Sequence, residues 1–426
     1  MNYAGQLKAF TRWDQAAGIY VGCVVYMMCF RAVASPLGLE RYASLSLGAC
    51  VVLCFSIKGM NILAKNRLRL LPEVVLMALW ALWVFCSTFF VHDDVASLPF
   101  TRSPLLLVTY CVSLFVVVIG GGNKNTCEES LLGLAIGGAG VGLLALITGE
   151  VFSFSESESQ RLGTALVGNS NDFGYIILLS LFSLSYFAHL ANKKEMMILL
   201  AGLILLLSAL CVLSGSRKAL LAMLIYCSLV VLLCHSKKIL RNVKFTIYLI
   251  VFVGFMSIAC VWTYNNTFVG ERTQKWMSED FSGSSIKSDQ RFAGRSRFYN
   301  VGWNLIEEHP IFGIGLDQYQ YHDLYSLPSH SEYVSILAET GVPGAILYFG
   351  AYGIILVRLN TQRRHGNRGL ALRAGLLLAS LLTILAMDLG RWNWDHPPTW
   401  ILLAACACFG FDNNLGRHRG IGRNGE

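Results

Sequence analysis

Apolar runs of about 18 to 20 residues recur along almost the whole chain, and they constrain its fold more than any other feature. Each run is long enough to cross a hydrocarbon core of about 30 Å as an α-helix. Only 14% of the residues are charged, whereas soluble proteins carry about 25%. The sequence therefore predicts an all-α polytopic membrane protein and excludes a soluble enzyme.

About twelve transmembrane helices are predicted from these runs. They lie near residues 16–34, 41–57, 71–91, 104–121, 130–149, 172–190, 196–214, 218–234, 245–262, 341–358, 369–388 and 396–412. The predicted organisation has three parts. Residues 1–262 hold helices one to nine, residues 263–340 form a long helical loop, and residues 341–426 hold the last three helices and a basic tail.

Lys and Arg are unevenly shared between alternate loops, and this asymmetry predicts the orientation of the chain. With the N-terminus inside, about 21 of the 34 Lys and Arg residues fall on the inner side. The positive-inside rule therefore places both termini in the cytoplasm and the long loop outside it. It also explains the net charge of +8 without a nucleic-acid partner.

No cofactor or metal site is predicted. The thirteen cysteines form no CxxC motif or Cys/His cluster, and no GxxxxGK[ST] nucleotide loop occurs. Asp93 and Asp94 follow the third span, where an acidic pair could hold a divalent cation. A solvated or loop-capping role is the interpretation favoured for this pair.

The strongest local motif is Ser329-His330-Ser331-Glu332. Ser329 and Glu332 have capping-box spacing, which predicts a short helix with His330 in its first turn and a stop at Gly341 and Pro343. The positive end of a helix dipole disfavours an imidazolium, and a neutral imidazole is suited to general-base catalysis. The residues alone leave two interpretations open, a catalytic base and an ordinary histidine at the start of a surface helix.

A second motif, Ser216-Arg217-Lys218, lies between the seventh and eighth spans on the predicted outer face. Two cations on that face oppose the local charge bias. They either snorkel to the interface or form an anion clamp, since a guanidinium matches phosphate oxygens bidentately.

A third motif, with Arg295 and Arg297, precedes a predicted amphipathic helix. Tyr299, Trp303 and Ile306 recur at helical spacing and predict its apolar face, which would lie on the protein or on the membrane surface. The two arginines at its start either bind phosphate or form a solvated basic turn.

A polar and aromatic cluster closes the last two spans at the predicted outer end. It is predicted to be an interfacial belt with an ion pair, the alternative being a role in shaping an acceptor site. Its members are Asp388, Arg391, Trp392, Trp394, Asp395 and Trp400.

These motifs resemble those of the O-antigen ligase and O-antigen polymerase superfamily. His330-Ser331, nine residues and then Gly341-Val-Pro-Gly344 are similar to a family pattern of His, a small polar residue, nine residues and GxxG. Gly294-Arg295, Ser216-Arg217 and the stretch from Gly168 to Asn171 resemble other family motifs. The similarity covers the topology and most of the second half of the chain.

The resemblance implies a GT-C-like glycosyltransferase in the inner membrane of a Gram-negative bacterium, acting on the periplasmic side. The donor would be an O-antigen on undecaprenyl pyrophosphate and the acceptor a sugar hydroxyl of lipid A-core, joined with inversion and without metal. His330 would be the base, and Arg217, Arg295 and Arg297 would bind the pyrophosphate. Lys218, Asn171, Ser331 and Tyr299 are further candidate substrate-binding residues.

Three alternatives remain open at this stage. An O-antigen polymerase or a protein O-oligosaccharyltransferase would use the same donor with a different acceptor. A lipid-linked sugar transporter is an alternative of another class, although no internal repeat of the kind found in transporters is visible.

Overall fold

The computed structural model describes the chain in several stretches. These are residues 15–34, 50, 53, 71–87, 124–148, 162–167, 169–191, 193–235, 298–322, 329–391, 393–394 and 396–412. The predicted spans near 104–121 and 245–262 lie outside them, as does the span near 41–57 apart from residues 50 and 53. So do Asp93, Asp94, Arg295, Arg297, Trp392 and Asp395.

The regular elements within these stretches are all helical. In chain order they are α1 (Gln15–Ala34), α2 (Pro72–Ser87), α3 (Lys124–Ile147), α4 (Thr164–Val167), α5 (Ser170–Ala188), α6 (Lys194–Leu213), α7 (Arg217–Val230, continued by a π-helical turn over Val231–His235), α8 (298–308), α9 (Tyr319–His322), α10 (Glu332–His365), α11 (Arg368–Met387) and α12 (Pro397–Asp412).

Each of the other nine predicted spans coincides with one of these helices. Among the described residues, six stretches are long and apolar enough to cross a membrane, in α3, α5, α6, α7, α10 and α11. Helices α1, α2 and α12 contain shorter apolar stretches. The prediction of a helical, multi-pass membrane protein is confirmed at this level.

Helix α5 lies at the centre of the bundle and α6 at its periphery. In its most apolar window α5 is 78% buried, whereas α6 is 17% buried and has the higher mean hydropathy, 2.9. Buried hydroxyls tie the inner helices together, as in the hydrogen bonds between Tyr20 and Ser130 (2.8 Å) and between Tyr175 and Thr399 (2.7 Å). Such bonds satisfy polar groups that would be costly to expose to lipid.

Charged side chains pair at one end of the bundle. Arg358 near the end of α10 contacts both carboxylate oxygens of the fully buried Glu73 at the start of α2. Arg373 of α11 lies 3.7 Å from Glu128 of α3. The described residues of the motifs singled out in the sequence lie at the opposite end, where α5, α7, α10 and α12 begin and α6 and α11 end.

Helix α10 is broken at Gly341, which has φ 68° and ψ 179°. The predicted stop at this glycine is therefore found, although the chain resumes helical geometry at once with Val342 and continues to His365. The break divides α10 into a short first segment that carries the motif residues and a long second segment that traverses the bundle.

Candidate functional site

Four consecutive residues after α11, Asp388 to Arg391, form the centre of the site. Lys218 of α7 donates a hydrogen bond to the carbonyl of Gly390, and the Tyr299 hydroxyl donates to the carbonyl of Leu389 at 2.6 Å. Next to His330, the Ser331 hydroxyl donates to the carbonyl of Asp388 at 3.4 Å. Because four residues span at most about 14 Å, three motifs that are far apart in sequence meet within a short distance.

His330 lies immediately before the helix rather than in its first turn. Its backbone has φ 55°, one of two positive values among the described non-glycine residues, and its side chain is exposed. The ring makes an edge contact with Phe298, with the centroids 5.4 Å apart. A left-handed conformation costs an L-residue about 1–2 kcal/mol, and strain of this kind clusters at functional sites.

The predicted capping box is wrong. The N-cap of α10 is Ser331, and its side chain makes no capping hydrogen bond. The Ser329 hydroxyl instead donates to the carbonyl of Ser331 at 2.8 Å and accepts from its N–H at 3.2 Å. The Glu332 carboxylate cannot turn back to the cap, because it is held by partners from elsewhere in the chain.

Those partners fix the start of α10 to the segment before α12. The Tyr348 hydroxyl donates to one carboxylate oxygen of Glu332 at 2.6 Å. The backbone N–H groups of Asn393 and Trp394 donate to the other, at 2.6 and 3.2 Å. Glu332 is fully buried, so this arrangement also fixes the position of His330, two residues earlier.

Arg217 is the first residue of α7 and is exposed. Its N-cap, Ser216, accepts a hydrogen bond from the N–H of Ala219 at 3.3 Å and donates to Oδ1 of Asn171 at 2.7 Å. A guanidinium at the start of a helix is an arrangement suited to phosphate oxygens. The ammonium of Lys218 bonds to the carbonyl of Gly390.

Helices α5 and α7 approach closely beneath Arg217. A Cβ atom at Gly174 would lie 2.6 Å from the Cβ of Ala219, so only glycine permits this spacing. The close approach brings Asn171, in the first turn of α5, to the N-cap of α7. The side-chain oxygen of Asn171 thereby accepts a hydrogen bond from within the protein.

The predicted apolar face of the amphipathic helix is not the face that packs on the protein. Phe298, Gly302 and Leu305 face the protein, whereas Tyr299 and Trp303 are 44% and 60% exposed. A Cβ at Gly302 would lie 2.2 Å from Val334, so α8 packs closely on the first segment of α10. Phe298, Gly302 and Leu305 face the protein because α8 packs on α10 through this side. Tyr299 lies outside that contact, and its hydroxyl reaches the carbonyl of Leu389.

The loop after α8 binds the break in α10 through its backbone. The N–H groups of Ile314 and Gly315 donate to the carbonyls of Ala338 and Glu339 at 2.9 and 3.0 Å. In return, the N–H of Val342 donates to the carbonyl of Pro310 at 2.8 Å. Gly313 in this loop and Gly341 in α10 allow this contact, because a Cβ atom at either residue would collide with the backbone of the other segment.

The predicted interfacial belt is wrong for its described members, because they are buried inside the bundle. Asp388, Trp394 and Trp400 are 2% exposed and Arg391 is 8% exposed. Buried polar groups must find partners within the protein. Arg391 accordingly pairs with Asp172 of α5 at 2.7 Å, a partner that sequence reasoning did not identify. The available signal was a dense run of polar residues between two apolar spans.

Burial raises the pKa of the Asp388 carboxyl well above its usual range, and repulsion from Glu332 raises it further. The Asn393 amide donates a hydrogen bond to Oδ1 of Asp388. A raised folded-state pKa means that the folded protein holds a proton that the unfolded chain releases. Stability is therefore highest below the ordinary aspartate pKa of about 3.9 and falls as pH rises towards the folded-state pKa.

Asp388→Asn is expected to flatten this pH dependence. The amide keeps an oxygen that can accept from Asn393 but has no proton to lose. Thermal unfolding of purified protein should show a smaller fall in Tm between about pH 4 and pH 7 than in the wild type. Equal slopes in the two proteins would contradict a raised pKa at this position.

The remaining candidates are not placed. Arg295 and Arg297 precede the described part of α8, and Asp93 and Asp94 follow that of α2. Within the stretches that are described, no three His, Cys, Asp or Glu side chains come together as a metal site would require.

Residues 201–349 match the family model described as O-antigen ligase. The matched segment contains Arg217, Arg295, Arg297, His330 and the Gly341–Gly344 pattern. The resemblance inferred from these motifs is thereby confirmed over that segment. No curated protein matches the chain.

Proposed function

We propose that this protein is an O-antigen ligase, a membrane glycosyltransferase that moves a polysaccharide from undecaprenyl pyrophosphate to a sugar hydroxyl of lipid A-core. One observation carries the proposal. Within the segment that matches the family lie an exposed and strained histidine, His330, and an arginine at a helix start, Arg217. The residue after each of them, Ser331 and Lys218, bonds to the short stretch from Asp388 to Arg391.

The proposed chemistry is a single inverting displacement. His330 accepts the proton of the acceptor hydroxyl, whose oxygen attacks the anomeric carbon of the donor sugar as the bond to the pyrophosphate breaks. Positioned base catalysis contributes about 10²- to 10⁴-fold to such a reaction. The pyrophosphate leaves as an anion, and Arg217, Arg295 and Arg297 neutralise the developing charge.

The remaining candidate residues have a positioning role in this proposal. Lys218, Ser331 and Tyr299 hold α7, α10 and α8 on the carbonyls of residues 388–390. Asn171 holds the N-cap of α7. Their side chains therefore set the distances between His330 and Arg217, and substrate contacts are assigned to His330 and the three arginines.

The donor carries its own activation in the glycosyl–pyrophosphate bond. Transfer is therefore proposed to need neither a nucleotide nor another cofactor, and the arginines take the role that a metal ion has in other transferases.

The proposed setting is the inner membrane of a Gram-negative bacterium. The chain would have twelve spans in a GT-C-like arrangement, with residues 1–262 and 341–426 in the membrane and residues 263–340 as a periplasmic loop. The position of Arg358 and Arg373 at the end of the bundle opposite Arg217 supports a periplasmic site and cytoplasmic termini, because positive charge favours the cytoplasmic side.

Reconstituted transfer tests the proposal against its alternatives. Proteoliposomes containing the protein would receive a fluorescent glycan on undecaprenyl pyrophosphate together with lipid A-core, with EDTA present. Labelled lipid A-core is the expected product. Extension of the glycan on its own lipid would indicate a polymerase, and labelling of an added acceptor protein would indicate a protein O-oligosaccharyltransferase. Movement of the lipid across the bilayer without transfer would indicate a transporter.

A further inference from the structure

The guanidinium of Arg391 contacts both the part of the site that carries Arg217 and the part that carries His330, and it has partners in several directions. It pairs with Oδ1 of Asp172 at 2.7 Å and donates to the carbonyl of Asn171 at 3.3 Å. It also donates to Oδ1 of Asn393 at 2.7 Å and to Nε2 of His396 at 2.9 Å, and it stacks 4.2 Å from the ring centre of Tyr175. These contacts engage both edges and one face of the planar group.

One set of these contacts leads to Arg217. Arg391 holds the first turn of α5 through Asn171 and Asp172. The amide oxygen of Asn171 accepts the hydrogen bond of Ser216, and Ser216 caps the helix in which Arg217 is the first residue. A displacement of Arg391 would therefore be transmitted to Arg217 through two hydrogen bonds.

Another set leads to His330. Asn393, which accepts from Arg391, donates its backbone N–H to the Glu332 carboxylate at 2.6 Å. The carbonyl of Arg391 itself accepts from the N–H of Glu332 at 3.1 Å. Both contacts fix the start of α10, two residues after His330.

We propose that Arg391 is a positioning residue that sets the spacing between His330 and Arg217, and so couples the base to the pyrophosphate-binding cation. This inference rests on the proposed function. Arg391 acts through Asn171 and Glu332, because its own side chain is only 9% exposed and its charge is balanced by Asp172.

The geometry requires arginine rather than a positive charge alone. A guanidinium can donate along both edges while stacking on an aromatic ring, whereas a lysine ammonium is a compact charge on a flexible stem. Arg391→Lys would keep the charge and its attraction to Asp172. It would lose the simultaneous contacts with Asn171, Asn393 and Tyr175.

Arg373→Lys is a matched control. Arg373 also lies beside a carboxylate and an aromatic ring, 3.7 Å from Glu128 and 5.8 Å from the ring centre of Phe409, but at the opposite end of the bundle. Comparison of the two variants separates the general cost of replacing a paired arginine from an effect on the site.

The experiment measures binding of undecaprenyl pyrophosphate in nanodiscs, together with kcat and KM for transfer per folded molecule. Arg391→Lys is expected to weaken lipid binding and to lower kcat/KM, each about tenfold. An effect of this size lies within the range of coupling energies between residues of one hydrogen-bond network. Arg373→Lys should change neither quantity. Arg217→Ala combined with Arg391→Lys should bind the lipid no more weakly than Arg217→Ala alone, because both changes act at one cation.

A merely structural role would give a different pattern, in which Arg391→Lys lowers Tm but the folded fraction binds and turns over as the wild type does. That result, or additive effects in the double variant, would overturn the inference.

If Arg391→Lys does not fold, Ser216→Ala breaks the same connection and should weaken lipid binding. Unchanged binding by Ser216→Ala would overturn the inference. Wild-type protein that neither binds the lipid nor transfers glycan would overturn the proposed function, and the inference with it.

Discussion

Replacing His330 with alanine is expected to lower glycan transfer by about 10²- to 10⁴-fold, the range that a positioned general base contributes. Binding of undecaprenyl pyrophosphate should be nearly unchanged, because the arginines proposed to hold the lipid remain. The loss should therefore appear in kcat rather than in KM for the donor. Purified variants in proteoliposomes, assayed with labelled donor under saturating acceptor, give both quantities.

His330→Gly is the matched variant, because the backbone at this position has φ 55°. Glycine adopts such a conformation without strain, whereas alanine keeps a cost of about 1–2 kcal/mol. We expect both variants to lose transfer and His330→Gly to unfold at a higher temperature than His330→Ala. Transfer at the wild-type rate by either variant would remove His330 from the mechanism.

Gly341→Ala is expected to have the largest effect on folding, about 3–5 kcal/mol or a failure to accumulate folded protein. A Cβ at this position would lie 2.1 Å from the carbonyl oxygen of Ile311 and 2.5 Å from its carbon. Ile311 lies between Pro310 and Ile314, whose backbone groups are hydrogen-bonded to α10, so its carbonyl cannot move away at low cost. The positive φ of Gly341 adds strain for any residue with a Cβ.

Gly353→Ala in the same helix is the control. No atom lies within 4 Å of a Cβ built there, and alanine in a helix interior is favoured over glycine by about 1 kcal/mol. Thermal unfolding and the yield of monodisperse protein should separate the two variants clearly. A Gly341→Ala protein as stable as Gly353→Ala would show that the break in α10 is not required.

The spans and the break in α10 were predictable because they depend on local sequence. Hydrophobic length identifies a membrane helix without knowledge of its neighbours, and Gly341 with Pro343 identifies the break. The motif around His330 could also be selected from its spacing. None of these features depends on which distant segment lies nearby.

The partners of the motif residues were not predictable, because they are set by tertiary packing. Glu332 has the spacing of a local capping residue, yet it bonds to Tyr348 and to the backbone of residues 393 and 394. The face of α8 that packs on the protein was not predictable for the same reason, since Gly302 allows Val334 to approach.

The role of the segment after α11 could not be predicted from its composition. Polar and aromatic residues at the end of a span are typical of an interface, and the sequence does not distinguish this from a buried cluster. The contacts of the segment with α5, α7, α8 and α10 show that it joins the helices that carry the motif residues.

The position of the bound donor tests the central claim most directly. A cryo-EM structure of the protein in nanodiscs with its glycosylated undecaprenyl pyrophosphate would locate the two phosphates. The account predicts phosphate oxygens about 3 Å from the guanidinium of Arg217, with the first sugar directed towards the imidazole of His330. Pyrophosphate bound at the opposite end of the bundle, beside Arg358, or with its sugar remote from His330, would contradict it.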